Sequence, residues 1–195
     1  CIVVQPYSCN TACYGISEAT SASDQDILNV TVGSINNTTD CINPLTGSQG
    51  PATGTASRYA NFNPGIAPAT VYKGLATPFS ITLGTCGFGT NGSVKIYIDF
   101  NQNASFLDPG EEVYFNPSVG TVSPSIVLSG TFTTPLSAVN GCTKMRVIFR
   151  DQFSGTIVPV GTYNIGETED YSINIIQPSP TDPAITAINV PTGNC

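Results

Sequence analysis

The amino-acid sequence predicts an all-β protein, an antiparallel, jelly-roll-like β-sandwich stapled by disulfides. Three observations carry this. Apolar and polar residues alternate with period two over several short runs. Nineteen glycines and fifteen prolines punctuate those runs, together with Asn- and Asp-rich stretches that suit tight turns. No segment carries a helical apolar period for more than a turn or two. With 195 residues the chain can bury the core of one main domain.

The elements follow in order. Residues 1–26 are rich in cysteine and turn formers. Ile27-Leu-Asn-Val-Thr-Val32 reads as a first strand, β-branched and bounded by turn residues. Residues 33–57 read as a long Gly/Asn/Thr/Ser/Pro loop. Pro78–Leu83 and Val94–Phe100 alternate cleanly, and Glu112–Phe115 is a short strand. Ser125–Phe132, Lys144–Phe149 and Asp170–Ile176 complete the set. Residues 1–176 therefore form one module. Residues 177–183, Gln-Pro-Ser-Pro-Thr-Asp-Pro, read as a semi-rigid linker. Residues 184–195 begin with the strand-like Ala184-Ile-Thr-Ala-Ile-Asn-Val190 and read as the start of a following β domain. A chain opening on Cys1 is expected to be a processed or excised piece of a longer one, one module of a tandem array.

Charge narrows the function. Only 10% of residues are charged, the net charge is −7, and the six Lys and Arg are scattered. No basic stripe exists to track phosphates, which argues against nucleic acid as a partner. No apolar run approaches the ~20 residues that span a bilayer as a helix. His is absent, so Ser–His–Asp and Cys–His catalysis are excluded. Paired carboxylates could serve glycoside hydrolysis, but Trp platforms are absent, and no enzyme is expected. Seven cysteines, with no zinc-type spacing, fit an oxidising, extracellular setting. The expected pairs are Cys13–Cys41, Cys86–Cys142 and, by elimination, Cys1–Cys9, with Cys195 left over.

The segment from Asp99 to Glu112 is the candidate site. Asp99, Asn101, Asn103 and Ser105 place oxygen at every second residue, and Asp108 and Glu111 follow. A loop wrapping a hard cation such as Ca²⁺ supplies ligands at this alternate spacing, with a backbone carbonyl near Ser105 and a carboxylate at the far end. The preceding strand rules against a helix–loop–helix hand. The same residue types also form turns for purely backbone reasons. Glu167, Glu169 and Asp170 make a second acidic cluster. Glu169 or Asp170 could complete the ion's shell, pair with Arg146 or Arg150, or sit on a solvated turn. Among the aromatics, Tyr59 and Phe62 lie in a loop-like stretch and are the candidates for stacking on a glycan.

Two blocks carry a family likeness: Tyr97-Ile-Asp-Phe-Asn-Gln-Asn103 with Gly110-Glu-Glu-Val113, and Met145-Arg-Val147 with Gly166-Glu-Thr-Glu-Asp-Tyr-Ser172. Cys13, Ile27–Val30, Gly33–Asn37 and Cys41 fit the same pattern. Together these resemble the GEVED domain over roughly residues 7–176, with Thr168 where the family's name has Val. The resemblance implies a non-catalytic module of large secreted or cell-surface proteins, chiefly of Bacteroidota, and a calcium-binding Asp99 loop. Its commoner loop has Asp, Gly and Asp where Asn103, Ala104 and Ser105 stand here. Fewer carboxylates weaken the hold on Ca²⁺, toward Kd values of about 10⁻⁴–10⁻³ M. The expected function is a calcium-stabilised structural or adhesive module whose partners are neighbouring domains; the alternative is a carbohydrate-binding module beside an extracellular hydrolase or peptidase.

Overall fold

The structure, a computed structural model, describes residues 9, 13–21, 25–39, 58–63, 65–87, 89, 91–153 and 155–179. Every regular element among them is a strand. In chain order these are β1 (Ser17–Ser21), β2 (Gln25–Val32), β3 (Ile35–Thr38), β4 (Tyr59–Asn61), β5 (Ala69–Tyr72) and β6 (Ala76–Thr85). There follow β7 (Gly92–Ile98), β8 (Glu112–Asn116), β9 (Ser125–Thr133), β10 (Gly141–Asp151) and β11 (Gly161–Ile176). They form two sheets. The larger runs β1-β11-β10-β7-β8, with β4 and β5 also on β11, and the smaller runs β3-β2-β6-β9.

Alternation decides what lies between the sheets. Val94, Ile96 and Ile98 of β7, Met145, Val147 and Phe149 of β10 and Tyr171, Ile173 and Ile175 of β11 enter one core. Ile27, Val30, Ile81 and Leu83 meet them from the small sheet. The outer face of the large sheet is covered too. Ala19, Tyr97, Phe106, Ile148, Ile157 and Tyr163 pack there as a second apolar layer, with Tyr14 against it. Strands β10 and β11 are thereby buried on both faces, so whatever charge they carry must be compensated inside the protein.

Two expectations need correcting. Pairing is not antiparallel throughout: β1, β4 and β5 run parallel to β11. Strand β11 spans 16 residues, and β10 covers one of its edges, leaving the other long enough for three short segments. Residues 33–57 are not all loop, because Gly33-Ser34 turns the chain into β3, which pairs with β2 from Ile35 to Thr38.

The disulfides also differ. Cys142 bonds to Cys9, with Cα atoms 5.4 Å apart, so neither Cys86–Cys142 nor Cys1–Cys9 forms. Cys13 carries an exposed free thiol, which removes Cys13–Cys41. The register explains this. Cys86 follows the end of β6 that pairs with Gln25, whose side chain donates to Asn91 O beside the start of β7. Cys142 opens β10 at the opposite end, where Asp99 N–H donates to Lys144 O. Cys86 is disulfide-bonded as well. Residues 1–8 and 41–57 and the expected following domain at 184–195 lie outside the described residues.

Candidate functional site

Strand β7 delivers Asp99 fully buried at the head of the candidate loop. Its oxygens are already engaged. Asp99 Oδ1 accepts from Asn103 N–H at 3.3 Å, and Oδ2 accepts from Ala104 N–H at 2.9 Å and from the Tyr14 hydroxyl at 2.6 Å. The alternate oxygens that follow repeat one move. Asn101 Oδ1 accepts from Asn103 N–H at 3.0 Å, Asn103 Oδ1 from Ser105 N–H at 2.9 Å and Ser105 Oγ from Leu107 N–H at 3.1 Å. The every-second spacing is thus a run of side-chain-capped turns. Gln102 and Ala104 take left-handed backbone angles, φ 59° and 66°, to make it.

The far end of the loop is built differently. Glu111 is only 2% exposed, and its Oε1 accepts from the N–H groups of Phe100 at 3.0 Å and Asn101 at 3.4 Å. Its Oε2 is buried with no hydrogen-bond partner. A cavity of about 310 Å³ opens beside it, bordered by Asn101, Asp108, Glu111 and Pro135. Burial pushes the Glu111 carboxyl up to about 7, aided by Asp99 and Asp108 and opposed by its two N–H donors. Asp108 accepts from Asn103 Nδ2 at 2.8 Å. Among the described residues, no three Asp, Glu, His or Cys side chains are arranged to hold a metal by themselves. A cation here would draw on amide and main-chain oxygens as well, which Ca²⁺ accepts readily.

Asp170 does not join this loop. Arg146 Nε donates to its Oδ1 at 2.7 Å and Nη2 to its Oδ2 at 2.8 Å, with both residues buried. Lys144 Nζ adds a contact at 3.0 Å. Burial alone would raise the Asp170 carboxyl, but Arg146 and Lys144 hold it below the usual carboxylate range. Arg150 takes no part in that pair and donates to Thr156 O at 2.9 Å.

Glu169 is also turned away from the loop, into the sandwich. Period two continues backward from Ile175, Ile173 and Tyr171 to Glu169 and Glu167, so both glutamates point inward. Glu169 Oε2 accepts from the Tyr171 hydroxyl at 2.7 Å. Glu167 Oε2 accepts from Ile27 N–H at 2.7 Å, at the point where β2 bulges against β6. That same extrapolation along the strand was available in the sequence, where the cluster reads three ways, as ion ligands, as an ion pair or as a solvated turn.

The glycan candidates separate. Phe62 is fully buried, its ring 4.9 Å from that of Tyr171, and offers no platform. Tyr59 borders a cavity of about 350 Å³ with Tyr14 and Glu18, and its hydroxyl donates to Asp170 Oδ2 at 2.9 Å.

One stretch from β7 to β11 therefore contains the turn-built loop, the orphaned Glu111 oxygen and the buried pair of the motif strand. The GEVED domain family model matches residues 93–174, the same stretch. Residues 93–174 are a GEVED domain. The match leaves β1 to β6 outside it, although the family likeness in the sequence extends to them. No curated protein matches the chain. Among solved structures it is similar to the CARDB domain of a Pyrococcus furiosus protein, crystallised in complex with di-metal ions. Identity there is 16% and the TM-score 0.36, over 56% of this chain and 81% of that one. It is also similar to a Niemann-Pick type C2 protein from the Japanese carpenter ant, with 10% identity and a TM-score of 0.41, over 83% of this chain and 99% of that one. The GEVED domain is an extracellular-type module, and the Cys9–Cys142 disulfide agrees with that setting.

Proposed function

We propose that this GEVED domain is a calcium-stabilised, non-catalytic structural module of a secreted or cell-surface protein, in contact with neighbouring domains of its own polypeptide. The observation that carries the calcium reading is the buried, unpartnered Glu111 Oε2 beside a cavity bordered by Asp108 and Asn101. A buried carboxylate oxygen without a donor is costly. A hard cation would satisfy it and cancel the mutual repulsion of Asp108 and Glu111. Asp99 serves this site by shaping the loop around it, and Asn103 and Ser105 by capping successive turns.

The role follows from the position of the loop. It joins β7 to β8 at one edge of the large sheet, so an ion there ties the edge strand to the core. Isothermal titration of the chelator-treated protein with Ca²⁺ tests this reading. Binding in the micromolar to millimolar range that disappears in Glu111→Gln supports it. Heat of binding unaffected by Glu111→Gln, or none at all, sinks it.

A further inference from the structure

Glu167, Glu169 and Asp26 lie together where β2 of the small sheet crosses β11 of the large one, each at most 1% exposed. All six basic residues of the chain fall among the described residues. None of them is among the main influences on this corner. Apart from burial itself, Asp26 and Glu169 act on Glu167 to raise it, and Asp26 acts on Glu169 in the same sense. Neutral groups also face the cluster: the Tyr171 hydroxyl, Thr39, the Asn37 amide and Cys86 Sγ, 3.3 Å from Asp26 Oδ2. Asn37 Nδ2 donates to Tyr171 Oη at 2.9 Å, and Tyr171 donates onward to Glu169. Glu167 Oε1, Glu169 Oε1 and Asn37 Oδ1 are buried acceptors with no donor. Three ionised carboxylates cannot share such a space. Asp26 and Glu167 repel each other when both are ionised, and a shared proton relieves that repulsion.

We propose that Asp26, Glu167 and Glu169 share protons and act as a base-labile lock between the two sheets. Strand β2 depends on this lock. Its bulge frees Ile27 N–H, and Glu167 is the acceptor that takes it. Losing the shared protons places like charges across the junction and drives β2 from β11. The coupling is a group effect, so apparent titrations belong to the cluster and not to one residue. The lock stands independently of the calcium reading.

The test is made in chelator, on wild type and on a Glu111→Gln background that removes the other raised carboxyl. Infrared spectra above about pH 8 should still show the carbonyl stretch of protonated carboxyl groups, since ordinary Asp and Glu have ionised well below that. On further alkalinisation the band should vanish. Over the same pH range the melting temperature should fall by at least roughly 2–4 °C. Ile27 N–H should lose its protection from hydrogen exchange. Glu169→Gln should flatten that alkaline fall. Absence of the protonated band in wild type near pH 8 overturns the proposal. So does a fall that calcium abolishes in the Glu111→Gln background, because the corner would then hold a metal ion. If Glu169→Gln fails to fold, the infrared and exchange measurements on wild type decide.

Discussion

Tyr14 donates a 2.6 Å hydrogen bond to Asp99 Oδ2 while its ring lies 4.9 Å from the Lys144 ammonium. One residue outside the matched segment thus touches both the loop and the cation partner of Asp170. Asp99 is held by protein donors, which shape the loop. Hydrogen bonds to charged groups contribute about 1.5–3 kcal/mol. Tyr14→Phe should cost about that much in urea unfolding with chelator present, and the calcium response should survive. An unchanged midpoint would mean the contact is incidental.

Asp170→Ala leaves Arg146 buried without its partner. The expected loss is about 3–5 kcal/mol, near or beyond what a domain of this size can absorb. Replacing both residues together with apolar ones of similar volume should cost much less. Chemical denaturation of the single and double variants separates the two effects. Equal losses would show that the pair acts as packing and not as charge.

Glu111 gives the metal-free protein a pH dependence with a defined sign. Burial raises its carboxyl in the folded protein above the ordinary 4.5 to about 7. The protonated form is thus favoured by the fold, and the associated stability is complete below 4.5 and lost as pH rises through about 7. In chelator the melting temperature should fall across that window, and Glu111→Gln should remove this part of the fall. Calcium should restore stability at the upper end of the window. Differential scanning calorimetry across pH, with and without calcium, reads all three.

Gly166 opens the motif with φ at 138°, and a Cβ there would stand 2.1 Å from Phe149 O. No side-chain movement relieves a clash with backbone. The alternation of β11 also changes phase here, since Tyr163 and Thr168 meet on the same outer side, 2.8 Å apart through their hydroxyls. Gly166→Ala should cost more than about 4 kcal/mol, among the largest single-residue effects. A melting temperature close to wild type would show that β10 can yield.

The long, alternating strands were legible in the sequence because their apolar residues face one core. Strands β6, β7, β9 and β10 fall where period two places them. The segments Ser17–Ser21, Ile35–Thr38 and Tyr59–Asn61 were not legible, because they are short and mostly polar and owe their structure to a partner strand's open edge. The loop from Asp99 announced itself by the spacing of its oxygens. In the structure those oxygens cap the backbone, and the acceptor of the loop without a donor is Glu111, the far-end carboxylate of the same spacing. Cysteine pairing stayed hidden because it depends on which end of the sandwich each strand begins.

Strand β11 has a consequence for how the chain acquires its form. Strands β1, β4 and β5 each find their place against it, and it stands last among the described strands. A ribosome or an export channel delivers the N-terminal segments long before the strand that seats them. Until residues 161–176 emerge, that edge has no template, and the disulfide from Cys9 must wait for Cys142 as well. Closure of the edge is therefore a late, long-range event, slow in the manner of folds dominated by distant contacts. A polypeptide that cannot finish folding before β11 appears stays extensible for most of its delivery.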